Sequence, residues 1–186
     1  MNALNLAAFN GHLNMVENKR GSSALQVASD CGHDAIVQIL LDKGANVNNR
    51  DKWGNNALQV ASYFGHNKIV QILLDNGADI NAPSRIYGSA LQAASASGYY
   101  QSVRMLLDKG ADVNVKGGLY GSALQAASAS GHDKIVQMLL DKGASVGIHG
   151  EAYGSALEMA SVCGHDKIVK MLLGNRAREA SDAAGP

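Results

Sequence analysis

A four-residue phrase returns every 33 residues, and it limits what this chain can fold into more than any other feature. Ser23-Ala24-Leu25-Gln26 recurs as Asn56-Ala57-Leu58-Gln59, Ser89-Ala90-Leu91-Gln92, Ser122-Ala123-Leu124-Gln125 and Ser155-Ala156-Leu157-Glu158. Behind each Ala comes a Gly-His pair (Gly32-His33, Gly65-His66, Gly131-His132, Gly164-His165), with Gly98-Tyr99 the exception. An apolar cluster of the Ile36-Val37-x-Ile39-Leu40-Leu41 kind follows, and Gly44-Ala45, Gly77-Ala78, Gly110-Ala111 and Gly143-Ala144 close their units. A unit this short cannot bury its own apolar face. Successive units must therefore stack into a one-dimensional solenoid.

The chemistry of one unit predicts helix, turn, helix, loop. Ser23 and its counterparts suit an N-cap, where a side-chain oxygen accepts a first-turn N–H. Ala, Leu, Gln and Ser then fill a short helix whose small side chains permit close approach to neighbours. Gly32 suits the left-handed position that ends a helix. Asp34, Asn67, Asp133 and Asp166 stand where the positive end of the second helix dipole falls, and Lys43, Lys109 and Lys142 where its negative end falls. The expected fold class is all-α.

The unit length, held in five consecutive registers over residues 21–174, resembles the ankyrin repeat, with its Thr-Pro-Leu-His-x-Ala signature. Ala24, Ala57, Ala90, Ala123 and Ala156 stand where the family has Pro. Gln, or Glu158 in the last unit, stands where it has His, so the hydrogen bonds of that His must be remade. The Tyr-Gly-Ser-Ala-Leu-Gln form at Tyr87 to Gln92 is similar to arrays of filamentous fungi, often fused behind nucleotide-binding receptor modules. The resemblance implies a single ankyrin solenoid domain over 21–174. Residues 1–20 open a truncated further unit, since Ala3 to Ala24 spans only 21 positions. Residues 175–186, rich in Ala, Ser, Asp and Gly, are expected to form a disordered tail. Met171-Leu172-Leu173 keep an apolar stripe where a capping repeat would be polar, which predicts self-association through an uncapped C-terminal repeat. The chain reads as part of a longer array or as a product that lost a segment.

Composition narrows the function classes. With 16 basic and 16 acidic side chains and no basic block, nucleic-acid binding is not expected. No apolar run is long enough for a membrane helix and no signal peptide is visible, so the expected setting is intracellular, cytoplasmic or nuclear. His12, His33, His66, His132 and His165 share one repeat phase. Stacked helices lie roughly 8–10 Å apart, while zinc ligands must reach within about 2.1 Å of one ion. They are expected to be turn residues. His149 is out of phase, on an expected loop tip. Cys31 and Cys163 lie four repeats apart, too far for a disulfide, and are expected to be semi-buried thiols. Lys116-Gly117-Gly118-Leu119-Tyr120-Gly121-Ser122 lacks the order of a phosphate loop. No catalytic, cofactor-binding or metal residue is assigned, and no enzyme activity is expected.

What remains is variation between repeats, at positions the scaffold leaves free. By resemblance, the residues before each Gly-His turn and those on the hairpin loops line the concave face of an ankyrin array. Trp53, Tyr63, Phe64, Arg85, Ile86, Tyr87, Leu119, Tyr120 and Tyr153 would then form a partly aromatic strip for a partner protein. Alternatively, the recurring tyrosines pack neighbouring hairpins together. The function this implies is a non-catalytic protein-interaction scaffold; the alternative is a sensor or regulatory array belonging to a larger nucleotide-binding signalling receptor.

Overall fold

The computed structural model describes residues 22–150 and 154–184, so the truncated unit expected at 1–20 and the candidate Tyr153 lie outside the described residues. Paired helices follow one another: α1 (Ala24–Asp30) with α2 (Asp34–Asp42), α3 (Ala57–Tyr63) with α4 (Asn67–Asp75), α5 (Ala90–Ser97) with α6 (Tyr100–Asp108), and α7 (Ala123–Ala129) with α8 (Asp133–Asp141). A small hairpin of β1 (His149–Gly150) and β2 (Gly154–Ser155), paired antiparallel, leads into α9 (Ala156–Val162) and α10 (Asp166–Ala184).

The first helix of each pair starts where the sequence places an N-cap. Ser23, Asn56, Ser89, Ser122 and Ser155 each accept the backbone N–H three residues on. In four of the five, the Gln or Glu at that third position returns a hydrogen bond to the cap's own N–H, closing a capping box. Gly32, Gly65, Gly98, Gly131 and Gly164 turn the chain at φ between 71° and 79°. Any other residue would be strained there.

The inner helices α1, α3, α5, α7 and α9 pack side by side, each also against the outer helix of its own pair. Alanines make the close approach possible: Ala57, Ala61, Ala90, Ala94, Ala123 and Ala127 are buried along this seam. The outer helices contribute Ile69, Leu73, Leu106, Ile135 and Leu139 to the core, and each of the inner helices α3, α5 and α7 adds one leucine, Leu58, Leu91 or Leu124. The apolar stripe thus continues from unit to unit, as burial by stacking requires.

Three sets of hydrogen bonds tie units together: the glutamine set at all four junctions, the histidine and asparagine sets at three each. Buried Gln59 donates through Nε2 to Ala82 O at 2.6 Å and Gly88 O at 2.7 Å, and Gln92 donates to Gly117 O and Gly121 O at 2.9 Å. Gln26 and Gln125 reach Asn55 O and Gly154 O in the same way. This is how glutamine does the work of the histidine expected at its position. The turn histidines reach backward. His66 Nε2 lies 3.1 Å from Asp30 O, His132 Nε2 3.3 Å from Ala96 O, and His165 Nε2 3.2 Å from Ala129 O. In the loops, Asn48 and Asn114 each donate to the next Gly-Ala junction, at Gly77 O and Gly143 O, and accept from Asp79 N and Ser145 N.

Along the outer helices, carboxylates of one unit face lysines of the next: Asp34 with Lys68, Asp75 with Lys109 at 3.1 Å, Asp108 with Lys142 at 3.8 Å, and Asp133 with Lys167. The Lys68 ammonium, helped by Ala35 N–H, holds the Asp34 carboxyl below the usual carboxylate range, and Lys167 with Lys134 N–H does the same for Asp133. Asp75 is lowered chiefly by the Gln71 amide and then by Lys109. These pairs are exposed, so they fix the register between helices more than they add stability.

Two expectations are corrected. The tail expected to be disordered from 175 is instead the continuation of α10, which runs unbroken from Asp166 to Ala184. Gly174 is not among the glycines of positive φ, so it does not end the helix. Beyond it Arg176, Ala177, Arg178, Glu179 and Ala180 are good helix formers, and no proline intervenes before Pro186. Cys31 and Cys163 are exposed, not semi-buried, because each caps the C-terminus of an inner helix beside the glycine turn.

Candidate functional site

The loops joining one unit to the next project as fingers beside the inner helices. Within them, Gly117 bridges to Gly121. Adjacent fingers are joined by backbone hydrogen bonds, Arg85 N to Trp53 O at 3.1 Å and Leu119 N to Ile86 O at 3.2 Å. They approach so closely that a Cβ on Gly118 would lie 2.4 Å from Gly88 N. The first finger is held from within: Asp51 Oδ1 accepts Trp53 N and Asn55 N, both at 2.9 Å, and Oδ2 accepts Asn55 Nδ2 at 2.9 Å. The fingers are ordered by their own chemistry, not only by the helices beneath.

Tyr63 and Phe64 end the inner helix α3 and stand 37% and 41% exposed. Their rings meet edge to face at 5.1 Å between centroids, and Tyr63 also meets Tyr87, from the following finger, at 4.7 Å. Phe64 stacks over His66 at 6.2 Å. Such offset and edge contacts are favourable for aromatic quadrupoles. Beside this cluster lies a cleft of about 290 Å³ whose apolar wall is Val27, Val60, Trp53, Ile86 and Tyr87, with Asp30 at its polar edge. Lys52 Nζ sits 4.5 Å over the Trp53 ring.

The sequence candidates therefore divide. Tyr63, Phe64 and Tyr87 form one ring cluster, and Trp53, Ile86 and Tyr87 share the adjoining cleft. Arg85 is exposed at the tip of the second finger. Leu119, 54% exposed, and the half-buried Tyr120 belong to the third finger and do not line the cleft. Tyr87 serves both readings of the tyrosines, since it packs against the preceding inner helix and borders the cleft. Reading the sequence missed Val27 and Val60, whose shared phase one turn before Asp30 and Tyr63 was the available signal. It also missed Tyr99, whose ring covers Gly65 as histidine rings cover Gly32, Gly98 and Gly131 in the other units.

His66, His132 and His165 are accounted for by their carbonyl partners, and among the described residues no group of three or more His, Cys, Asp or Glu is placed to hold a metal ion. The backbone of His149 is part of the small hairpin, not a free loop tip. Among the described residues no helix is long and apolar enough to cross a membrane.

Helix pairs stacked in register, each tied to its neighbours through glutamine, histidine and asparagine, define a helical repeat scaffold. The chain belongs to the ankyrin-repeat family: the family model described as Ankyrin repeats (3 copies) matches residues 14–84 and 91–182. A search of curated proteins finds no match to the chain. Ankyrin repeats are generally protein–protein interaction modules, and the family is typically non-catalytic.

Proposed function

We propose that the chain is a non-catalytic scaffold that binds a partner protein on the face formed by its inner helices and fingers, the concave face of ankyrin arrays. One observation carries this reading: Tyr63, Phe64 and Tyr87 form a half-exposed ring cluster beside a partly apolar cleft. Aromatic side chains in such settings are the usual anchors of protein interfaces. Truncating an anchor costs about 2 kcal/mol or more, which is over about twentyfold in affinity. Tyr63→Ala with Phe64→Ala is therefore expected to abolish capture of the partner that the intact chain retains in a pull-down read by mass spectrometry. Asp75→Ala with Asp108→Ala, on the outer helices, is expected to leave capture intact. Capture that survives loss of both rings in folded protein would place the binding face elsewhere.

We also propose self-association through the last repeat. A Cβ on Gly32, Gly65, Gly98 or Gly131 would meet the His or Tyr ring of the next unit, but one on Gly164 would meet nothing within 4 Å. Val162 is 88% exposed on the same repeat. Sedimentation velocity over a concentration series is expected to show reversible association that Val162→Glu suppresses. A concentration-independent monomer would exclude it.

A further inference from the structure

Charge is not spread evenly over this neutral chain. On the outer helices Lys68, Lys109, Lys142 and Lys167 are each paired with a carboxylate of the preceding unit. The fingers are different. Arg50, Lys52, Arg85 and Lys116 make no ion pair among the described residues. Arg50 Nη1 donates only to Pro83 O, at 3.1 Å, and Lys52 lies over Trp53, so neither charge is cancelled. Asp51, between them in the sequence, accepts only neutral N–H groups of its own turn and keeps its charge, so Arg50, Asp51 and Lys52 together leave that finger one positive charge in excess.

Beneath the fingers, the inner helices α3, α5 and α7 carry no charged side chain at all; their sequences are ALQVASY, ALQAASAS and ALQAASA. The inner helices thus add no charge of their own, and the acidic residues of the second and third fingers, Asp79 and Asp112, stand at the outer-helix ends of those loops, four residues beyond α4 and α6. At the first repeat the positive charge of the fingers is opposed, because Asp30 stands at the edge of the cleft.

Resting on the reading of this face as the partner site, we infer that the occupant is an acidic segment of a protein bearing one bulky apolar residue. The apolar residue lies against Tyr63, Phe64 and Tyr87. The carboxylates run away from Asp30, over Arg85 and Lys116. Complementary charge of this kind sets the orientation of a bound segment and speeds its encounter. A nucleic acid is the poorer occupant, since its closely spaced phosphates call for more cations than four spread over three fingers.

Selection of short random peptides displayed on phage against the whole chain tests this. Enriched peptides are expected to combine Asp or Glu with an aromatic or large aliphatic residue. A fluorescein-labelled enriched peptide is expected to bind about tenfold more weakly to Arg85→Glu with Lys116→Glu. Arg85→Gln with Lys116→Gln should give a smaller loss, and added salt should weaken binding to the unmodified chain, because screening shortens to about 3 Å near 1 M. Thermal melting checks that each variant is folded. Enrichment of neutral or basic peptides, no enrichment, salt-independent affinity, or displacement by an oligothymidine strand would each overturn the inference. Neutral peptides that lose affinity with Tyr63→Ala and Phe64→Ala would overturn the acidic occupant alone. Peptides indifferent to those rings would overturn the binding face as well.

Discussion

Leu73→Ala is expected to lower the unfolding free energy by about 2–5 kcal/mol, because it deletes a large core side chain and leaves a cavity between rigid helices. Leu73 is 0% exposed, on α4 in the middle of the stack, with units on both sides. Leu173→Ala removes the same atoms from α10, where the side chain is 50% exposed, and is expected to cost about 1 kcal/mol. Urea titrations of the two variants give the comparison directly. Equal losses would mean that Leu173 is covered in solution, by a second molecule or by a part of the chain outside the described residues.

A second large effect is expected at the fingers. Gly118→Ala would place a Cβ 2.4 Å from Gly88 N and 2.7 Å from Gly88 Cα, both backbone atoms that cannot swing aside, at a φ of +65°. The left-handed backbone costs about 1–2 kcal/mol, and forcing the fingers apart adds about 1–3 kcal/mol. Gly110→Ala isolates the first contribution. Its φ is +88° and its Cβ would meet nothing within 4 Å. The expected result is that Gly118→Ala melts well below Gly110→Ala. Identical melting points would show that adjacent fingers part without cost, and the Leu119–Ile86 bond would then not hold them together.

The repeat made the fold legible because period and chemistry agree at every level. Ser23 as a cap, Gly32 as a left-handed turn and the Ile-Val-x-Ile-Leu-Leu stripe were each readable from side-chain properties, and the structure bears them out. The tail was misjudged because composition alone was weighed. Ala and Ser suit disorder or helix, and only the helix already running through Leu172 decides between them. Exposure of the two thiols was misjudged for a related reason: a residue's phase gives its place in the unit but not which way the end of a helix faces. The ring cluster was half legible. Tyr63 and Phe64 stood out as the one repeat with two aromatics at that phase, but their contact with Tyr87 depends on how far one unit is offset from the next. No spacing along the chain states that offset.

The recurring ties between units run at set distances along the chain: Gln59 to Gly88 and Asn48 to Gly77 each 29 residues on, His132 to Ala96 36 residues back. A chain wired this way changes length in whole units. Loss of residues 89–121 would bring His132 against Tyr63, the counterpart of Ala96 one unit earlier, and would leave Gln59 its present partners Ala82 and Gly88. Loss of a shorter stretch would put out of step the ties that span it, while more distant units kept their spacing. The unit with Tyr99 and Tyr100 in place of the usual His and Asp or Asn is thus an interchangeable part carrying its own surface. Inheritance can add it, drop it or copy it without redesigning the parts on either side.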